Sequence, residues 1–258
     1  MKKVVLVIVV LMLFTMGSVV YAGQFGPPEP AAKEGGVALG VGYFYYTAKW
    51  KPKDSDWEEG KVRQNQAYLQ ASYGFIKNGE IYLRVGGADA KLKEAFFDNS
   101  DFKRGLKPFG TLGVKGVFNI TPSFGIGPFL QASLFPSYKD DTTGTATISG
   151  IPVSGTETLK VIKPREINIG LGLQGKIGEA ILYGGPVIYW EKAKADWTFT
   201  GTIAGIPVSL SDSTTYKEKN NIGGFAGVRL PLGKGLNFEV EGQLKSRFSM
   251  GGALTYSF

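Results

Sequence analysis

Side-chain character alternates with a period of two residues from residue 36 to the end of the chain. In the final segment the even-numbered positions from Phe248 to Phe258 are apolar or glycine, whereas the odd-numbered positions are small or polar. This period places successive side chains on opposite faces of a β-strand, while a helix needs a period near 3.6. Because no segment after residue 36 shows a long helical pattern, the sequence predicts an all-β fold.

The composition narrows the classes of function. The chain contains no histidine and no cysteine. Histidine is the commonest general base and metal ligand, and cysteine supplies thiolate nucleophiles and soft metal ligands. No cofactor or metal motif is visible either. We therefore expect no catalytic, cofactor-binding or metal site, and we do not expect an enzyme.

The first 22 residues have the pattern of a secretory signal peptide. Lys2 and Lys3 precede an apolar run from Val4 to Phe14, and small residues ending at Ala22 offer a cleavage site. A transmembrane anchor needs about 20 apolar residues, and this run is shorter. The signal peptide would direct export of the chain and be cleaved after Ala22, so nucleic acid is not an expected partner. Residues 23–35, rich in proline and glycine, are predicted to form an exposed periplasmic tail.

The alternating region divides into about ten predicted strands, with eight or twelve as alternatives. The ten strands cover residues 36–48, 64–76, 80–91, 106–120, 123–137, 161–177, 180–196, 216–231, 236–245 and 248–258. Short connectors alternate with mostly long ones, and the strands exceed the roughly 9–11 residues that cross a membrane. Residues 36–258 are therefore predicted to form a closed antiparallel up-and-down transmembrane β-barrel, with short periplasmic turns and long extracellular loops.

From Gly36 to Phe258 the chain resembles the small bacterial outer-membrane β-barrels of the outer membrane protein A and X type. The most specific feature is the ending Tyr256-Ser257-Phe258, a terminal aromatic after alternating apolar residues. The resemblance implies the bacterial outer membrane, contact with its lipid and lipopolysaccharide, and recognition of Phe258 by the barrel-assembly machinery. A soluble β-barrel or sandwich is the alternative, although Gln131 and Asn168 on the less apolar face do not suit a dry core.

Charged residues within the strands are predicted to face the lumen. A lysine or arginine on the lipid face near the bilayer midplane costs about 2–4 kcal/mol, so Arg84 and Lys115 should point inward. Across the turn at residues 233–235, the register pairs Arg229 with Glu239 and leaves Glu241 one pleat away. We interpret Arg229 with Glu239 as a luminal ion pair, and we expect Glu241 beside it to share in this pairing, so that the three side chains fill the barrel. A selectivity element and a pair of catalytic carboxylates are the alternatives.

A motif of eight residues occurs twice in consecutive long loops. TISGIPVS at 147–154 and TIAGIPVS at 202–209 match at seven of eight positions. Each copy has two β-favouring runs around a small residue and a glycine, which predicts an extracellular hairpin. The residues expected at the exposed tips are Ile148, Ile151, Pro152, Val153, Ile203, Ile206, Pro207 and Val208. Such hairpins can bind an extracellular partner, as an adhesin does, or simply extend the barrel wall.

The first two long loops are rich in basic residues that can bind the phosphates of lipopolysaccharide. This expected rim consists of Lys49, Lys51, Lys91, Lys93, Lys103 and Arg104. Neighbouring carboxylates weaken its charge. The sequence therefore predicts a structural or surface-interaction barrel, with a narrow passive pore for small solutes or ions as the alternative. Ten strands are far from the 16–18 that leave an open aqueous channel.

Overall fold

The structure is a computed structural model that describes residues 24–53 and 57–258, apart from the side chain of Ile148. The predicted signal peptide at 1–22 lies outside the described residues. The strands are β1 (Val37–Pro52), β2 (Gly60–Ile76), β3 (Gly79–Leu92), β4 (Phe102–Gly116), β5 (Phe118–Thr121), β6 (Phe124–Leu134), β7 (Tyr138–Ile148), β8 (Ile151–Ile177), β9 (Ala180–Ile203), β10 (Ile206–Glu218), β11 (Ile222–Gly233), β12 (Leu236–Leu244) and β13 (Phe248–Ser257). In the part of the chain that the structure describes, no helix is long and apolar enough to cross a membrane.

These segments build a closed barrel of ten strands. The pairs β4 and β5, β6 and β7, and β10 and β11 are each successive parts of one barrel strand, so thirteen segments give 13 − 3 = 10 strands. Both β6 and β7 pair with β8, and both β10 and β11 pair with β9. The first strand β1 pairs with the last strand β13, and all pairings are antiparallel. The prediction of a closed antiparallel barrel of about ten strands is confirmed.

The barrel has fewer strands at its extracellular end. The hairpin of β12 and β13 is short, and above it β1 pairs directly with β10, where Trp50 is opposite Glu218. Eight strands therefore continue outward, namely β1 to β4 and β7 to β10. The 27 residues of β8 span about 90 Å at about 3.3 Å per residue. The segments predicted as long loops at 138–160 and 197–215 are thus largely strands.

Apolar side chains cover the outer face of the lower barrel. Exposed large hydrophobic residues include Leu39, Val41, Leu83, Val85, Leu112, Leu130, Ile167, Ile169, Leu171 and Leu173. Exposed aromatic residues lie at both edges of this band, with Trp190 and Phe248 at one edge and Phe118 and Phe258 at the other. Such a band with aromatic borders is the lipid-facing surface of a transmembrane barrel.

The interior has two layers of different character. The lower layer contains buried charged and amide side chains, and the upper layer is a hydrophobic cluster around Phe44, Trp50 and Phe102. A polar interior at membrane depth is possible because these groups pair with one another inside the barrel instead of meeting lipid.

Residues 24–32 lie inside the lower barrel and residues 33–35 lead from it to β1; we call residues 24–35 the plug. The prediction of an exposed tail is wrong for residues 24–32, because Phe25 is only 1% exposed and Ala32 only 2%, whereas Lys33, Glu34 and Gly35 are exposed. The segment has no strand alternation, so its sequence does not reveal that it packs against the barrel interior. Its backbone groups need acceptors and donors when buried, and the polar lumen supplies them.

Candidate functional site

Glu241 anchors the tip of the plug. Its carboxylate accepts hydrogen bonds from the backbone N–H groups of Gln24 at 3.0 Å, Phe25 at 3.1 Å and Gly26 at 2.8 Å. The prediction that Glu241 belongs to the luminal ion pair of Arg229 and Glu239 is wrong. Three convergent N–H donors satisfy the buried carboxylate instead of a cation.

The ring of Phe25 fills the middle of the lumen. It lies 4.5 Å from the ring of Phe129 and 5.2 Å from that of Phe225, measured between ring centroids. Tyr183, Val187 and Tyr189 complete the same buried cluster. Aromatic pairs at such distances add to the gain from burial itself. This cluster closes the barrel at the level of the plug tip.

The predicted luminal charges contact the plug. Arg229 bonds Glu239 at 2.6 Å, and its Nη1 also donates to the backbone oxygen of Glu29 at 3.0 Å. Arg84 donates to the backbone oxygen of Gln24. Lys115 forms an ion pair with Glu80 at 3.3 Å. Thus the structure brings the predicted charges to one place, around a segment that the sequence did not place there.

Glu80 holds the lower part of the plug. Its Oε2 accepts hydrogen bonds from the backbone N–H groups of Ala31 at 2.7 Å and Ala32 at 3.1 Å. On the neighbouring wall, Ser257 donates to the backbone oxygen of Ala31 at 2.6 Å. The plug is therefore bonded along its length, from its tip to the periplasmic end of the barrel.

A second buried polar group lies above the plug tip and was missed by sequence reasoning. Lys245 forms an ion pair with Glu166 and bonds Asn168 at 3.0 Å. Glu191 accepts hydrogen bonds from the hydroxyl of Tyr46 and from the Trp50 indole N–H, the latter at 2.9 Å. These residues occupy inward-facing positions of the alternating pattern, and the sequence could have placed them in the lumen on that basis.

A cavity of about 630 Å³ opens at the extracellular mouth of the barrel. Its aromatic lining consists of Trp50, Trp57, Phe96, Trp197 and Tyr216. Its charged lining consists of Glu58, Glu59, Lys61, Lys93, Glu94, Glu157 and Asp212. Five carboxylates and two lysines give the lining a formal charge of −3, although Lys219 pairs with Glu59 at 3.0 Å. The volume is that of a small-molecule site.

Hydrogen bonds fix the walls of this mouth cavity. The indole N–H of Trp57 donates to Asp212 at 2.7 Å, and that of Trp197 donates to Glu157. Below the cavity floor, the next space in the lumen measures only about 20 Å³. That is about the space of one water molecule, so the lumen narrows sharply below the mouth cavity.

The connector between β3 and β4, residues 93–101, forms one side of the mouth. The backbone N–H of Phe97 donates to Glu157 at 2.6 Å, and its ring meets Phe199 edge to face at 5.8 Å. Hydrogen bonds from the side chain and backbone of Ser100 hold the pKa of Asp98 below its ordinary value. A hydrogen bond from the backbone of Glu94 likewise lowers the pKa of Asp101.

The repeated motifs form the tips of two tall hairpins, β7–β8 and β9–β10. The hairpins pair with each other, since Val153 on β8 is opposite Ile203 on β9. At the tips, Ile151, Pro152, Ile206 and Pro207 are exposed, and Ile203 and Val208 are half-buried. Val153 is only 8% exposed, which corrects its assignment as an exposed tip residue. The side chain of Ile148 lies outside the described residues.

The predicted basic rim is divided between several environments. Lys91 pairs with Asp89 at 3.0 Å, and Lys103 pairs with Asp101 at 3.4 Å. Arg104 lies 3.5 Å from Asp140. Lys93 lines the mouth cavity, whereas Lys49 and Lys51 lie beside the β1–β10 contact. The six residues therefore do not form one cluster.

Comparisons with known proteins concern the fold alone. No protein-family model matches this chain, and neither does any curated protein. Among solved structures, the translocator domain of the autotransporter NalP from Neisseria meningitidis is 11% identical, with 87% of this chain and 89% of that chain covered and a TM-score of 0.48. The outer-membrane protease OmpT from Escherichia coli is 8% identical over 94% and 99%, with a TM-score of 0.47. The Pseudomonas putida toluene transporter TodX is 12% identical over 93% and 94%, with a TM-score of 0.38.

The barrel, its apolar outer band and its polar interior define a β-barrel protein of the bacterial outer membrane. The expectation that the chain is not an enzyme is not retained, because the solved structures that resemble this barrel include the outer-membrane protease OmpT. The absence of histidine alone does not exclude catalysis, since carboxylate, lysine, tyrosine and hydroxyl side chains also act as acids, bases or nucleophiles. No group of three or more metal-ligating side chains occurs within residues 24–53 and 57–258.

Proposed function

We propose that this protein is a closed outer-membrane barrel that binds a small organic cation in its extracellular mouth cavity. The observation that carries the proposal is the lining of that cavity, which combines five aromatic side chains with a formal charge of −3. Aromatic faces and carboxylates together favour alkylammonium groups, through cation–π attraction and charge.

The filled lumen supports binding at the mouth over free passage. Phe25 and its aromatic neighbours occupy the centre of the barrel, and the plug is bonded to opposite walls through Glu80 and Glu241. An always open pore, the alternative from the sequence, requires a continuous aqueous path. We therefore expect the folded protein to be electrically silent in a planar lipid bilayer.

The binding test uses choline and its uncharged isostere 3,3-dimethylbutan-1-ol, followed by tryptophan fluorescence of the refolded protein in detergent. We expect choline to bind and the neutral alcohol to bind at least about tenfold more weakly, because only the cation gains from charge and ring faces. Trp57→Leu and Trp197→Leu should weaken choline binding. Trp190→Leu, which changes an exposed lipid-facing indole, is the matched control. Equal binding of both probes, or no effect of the two mouth substitutions, contradicts the proposal.

A second candidate function is surface interaction through the hairpin tips. Ile206 is 65% exposed and Ile151 46% exposed, although both lie outside the apolar band that faces lipid. Exposed apolar side chains in water mark interaction sites. Replacing residues 146–153 by Asn-Gly keeps the register, because Thr145 pairs with Ser154. Loss of bacterial adhesion to host or bacterial surfaces, with unchanged barrel folding and choline binding, would support this role. Unchanged adhesion would contradict it.

A further inference from the structure

A groove in the outer wall interrupts the barrel just above the lipid-facing band. It lies where β6 ends at Leu134 and β7 begins at Tyr138, and where the β8–β9 register shifts between Ile162 and Arg165. The groove has a volume of about 490 Å³. Its apolar lining consists of Leu134, Phe135, Pro136, Ile162, Pro164 and Ala193.

Four cations surround this apolar groove, and no carboxylate lines it. They are Lys163, Arg165, Lys192 and Lys194. Lys194 pairs with Asp196 at 2.8 Å. For Lys163, Arg165 and Lys192, no ion pair occurs among the residues that the structure describes. Glu166 and Glu191, next to them in sequence, are buried on the luminal side. The outer wall therefore has an uncompensated positive charge here.

The height of these cations matches the headgroup layer of the outer leaflet. Arg165 is paired with both Leu134 and Lys192 across the strands, and the next outward pair down is Ile167 with Trp190. Leu134, Ile167 and Trp190 are exposed members of the apolar band. Two residues along a strand correspond to about 7 Å. The charges thus lie directly above the last side chains that face acyl chains.

The backbone beside the groove has an uncommon conformation at Lys163. Lys163 has a φ of 41°, in the left-handed region that residues other than glycine rarely adopt. Its N–H donates to the Ser137 hydroxyl at 3.2 Å, and the Phe135 N–H donates to the Pro164 oxygen at 2.9 Å. Such strained conformations persist only where surrounding contacts hold them.

We propose that this groove binds a phosphorylated glycolipid of the outer leaflet. The phosphate lies among Lys163, Arg165 and Lys192, and the beginning of an acyl chain packs on Leu134 and its apolar neighbours. Charge-assisted hydrogen bonds to phosphate suit an arginine flanked by two lysines. This site is separate from the basic rim expected from the sequence and does not depend on the mouth cavity.

The test compares diphosphorylated lipid A with the same lipid after removal of both phosphates, using native mass spectrometry of the refolded protein. The groove variant carries Lys163→Gln, Arg165→Gln and Lys192→Gln. The control variant carries Lys49→Gln, Lys51→Gln and Lys217→Gln, on the β1–β10 side of the barrel. We expect the groove variant to bind the phosphorylated lipid at least about tenfold more weakly than the wild type, and the control variant to bind as the wild type does.

Two results would overturn the site. One is equal binding of phosphorylated and phosphate-free lipid by the wild type, since then phosphate is not recognised. The other is an equal loss in the groove and control variants, which would indicate general attraction between a basic barrel and an anionic lipid. Heat-dependent gel mobility checks folding, and if the triple variant does not fold, Lys192→Gln alone is compared with Lys217→Gln. Equal affinities of these two single variants would also overturn it.

Discussion

At the scale of single residues, the luminal ion pair of Arg229 and Glu239 is the sharpest case. Both side chains are buried and lie 2.6 Å apart. Arg229→Leu should cost about 3–5 kcal/mol, because it leaves the Glu239 carboxylate buried without its partner. The double variant Arg229→Leu with Glu239→Leu should cost less than the single one. Urea unfolding of the refolded protein in lipid vesicles measures both, and additive costs would contradict a coupled pair.

Glu241 gives a second prediction at this scale. Glu241→Ala removes the acceptor of three plug N–H groups. The plug should loosen, so we expect ion-conducting steps in planar bilayers and faster proteolysis within residues 24–35. Glu179→Ala changes an exposed glutamate in the periplasmic turn between β8 and β9 and serves as the control. A silent, protease-resistant Glu241→Ala protein would show that other contacts suffice to hold the plug.

The residue scale also shows what the sequence can predict. The inward orientation of Arg84, Lys115 and Arg229 follows from the cost of placing charge in lipid. Their contact with the plug does not follow, because Gln24 and Glu241 are 217 positions apart. Residues 24–35 have no periodicity that identifies a partner surface.

At the scale of elements, the connector at residues 93–101 has a predictable response to acid. The lowered pKa values of Asp98 and Asp101 mean that their charged forms stabilise the folded connector. This contribution is present above the ordinary aspartate pKa of about 3.9 and is lost as the pH falls through the lower folded values. Cleavage by an acid protease beside Phe96 and Phe97 should therefore rise only below about pH 4.

A matched pair of variants tests the origin of this response. Asp98→Asn with Asp101→Asn should make the connector cleavable at a pH where the wild type resists, while Asp141→Asn, an exposed carboxylate on β7, should not. If cleavage of the double variant is unchanged, the hydrogen bond between Phe97 and Glu157, and not the two aspartates, keeps the connector folded.

The hairpins show where element prediction fails in part. Their existence follows from the β-favouring runs around Ser149-Gly150 and Ala204-Gly205. Their length does not, because residues 139–147 are polar or small, without the apolar alternation of a membrane strand. Pairing of β8 with β9 over their outer halves supplies the missing stabilisation through backbone hydrogen bonds.

At the scale of the whole molecule, the ten-strand closure was predictable because strand parity and turn spacing agree along the chain. The reduction to eight strands at the mouth was not, because it depends on the pairing of β1 with β10. The mouth cavity arises from this arrangement, and its five aromatic residues come from five separate connectors and strands. A local pattern in the sequence does not show that residues from distant segments line the same cavity.

Assembly into the outer membrane involves the whole barrel, and a substitution of Phe258 tests how this assembly is initiated. Its side chain is 68% exposed, and its N–H donates to the Val37 oxygen at 3.1 Å. Phe258→Ala should change the stability of the refolded protein about as much as Phe248→Ala does, because both are exposed aromatic residues at an edge of the lipid-facing band, while reducing assembly in cells if the barrel-assembly machinery reads this residue. Phe248→Ala, at the other end of β13, is the control. Equal amounts of both variants in the outer membrane would contradict that role.

The plug continues directly into the first barrel strand at residues 36 and 37. A displaced plug therefore cannot diffuse away, and its local concentration at the lumen stays on the order of millimolar, as for other short tethers. Every opening would then be followed by intramolecular reclosure at a rate independent of protein concentration. If force or a ligand displaced the plug, this covalent connection would let the barrel close again without any other component.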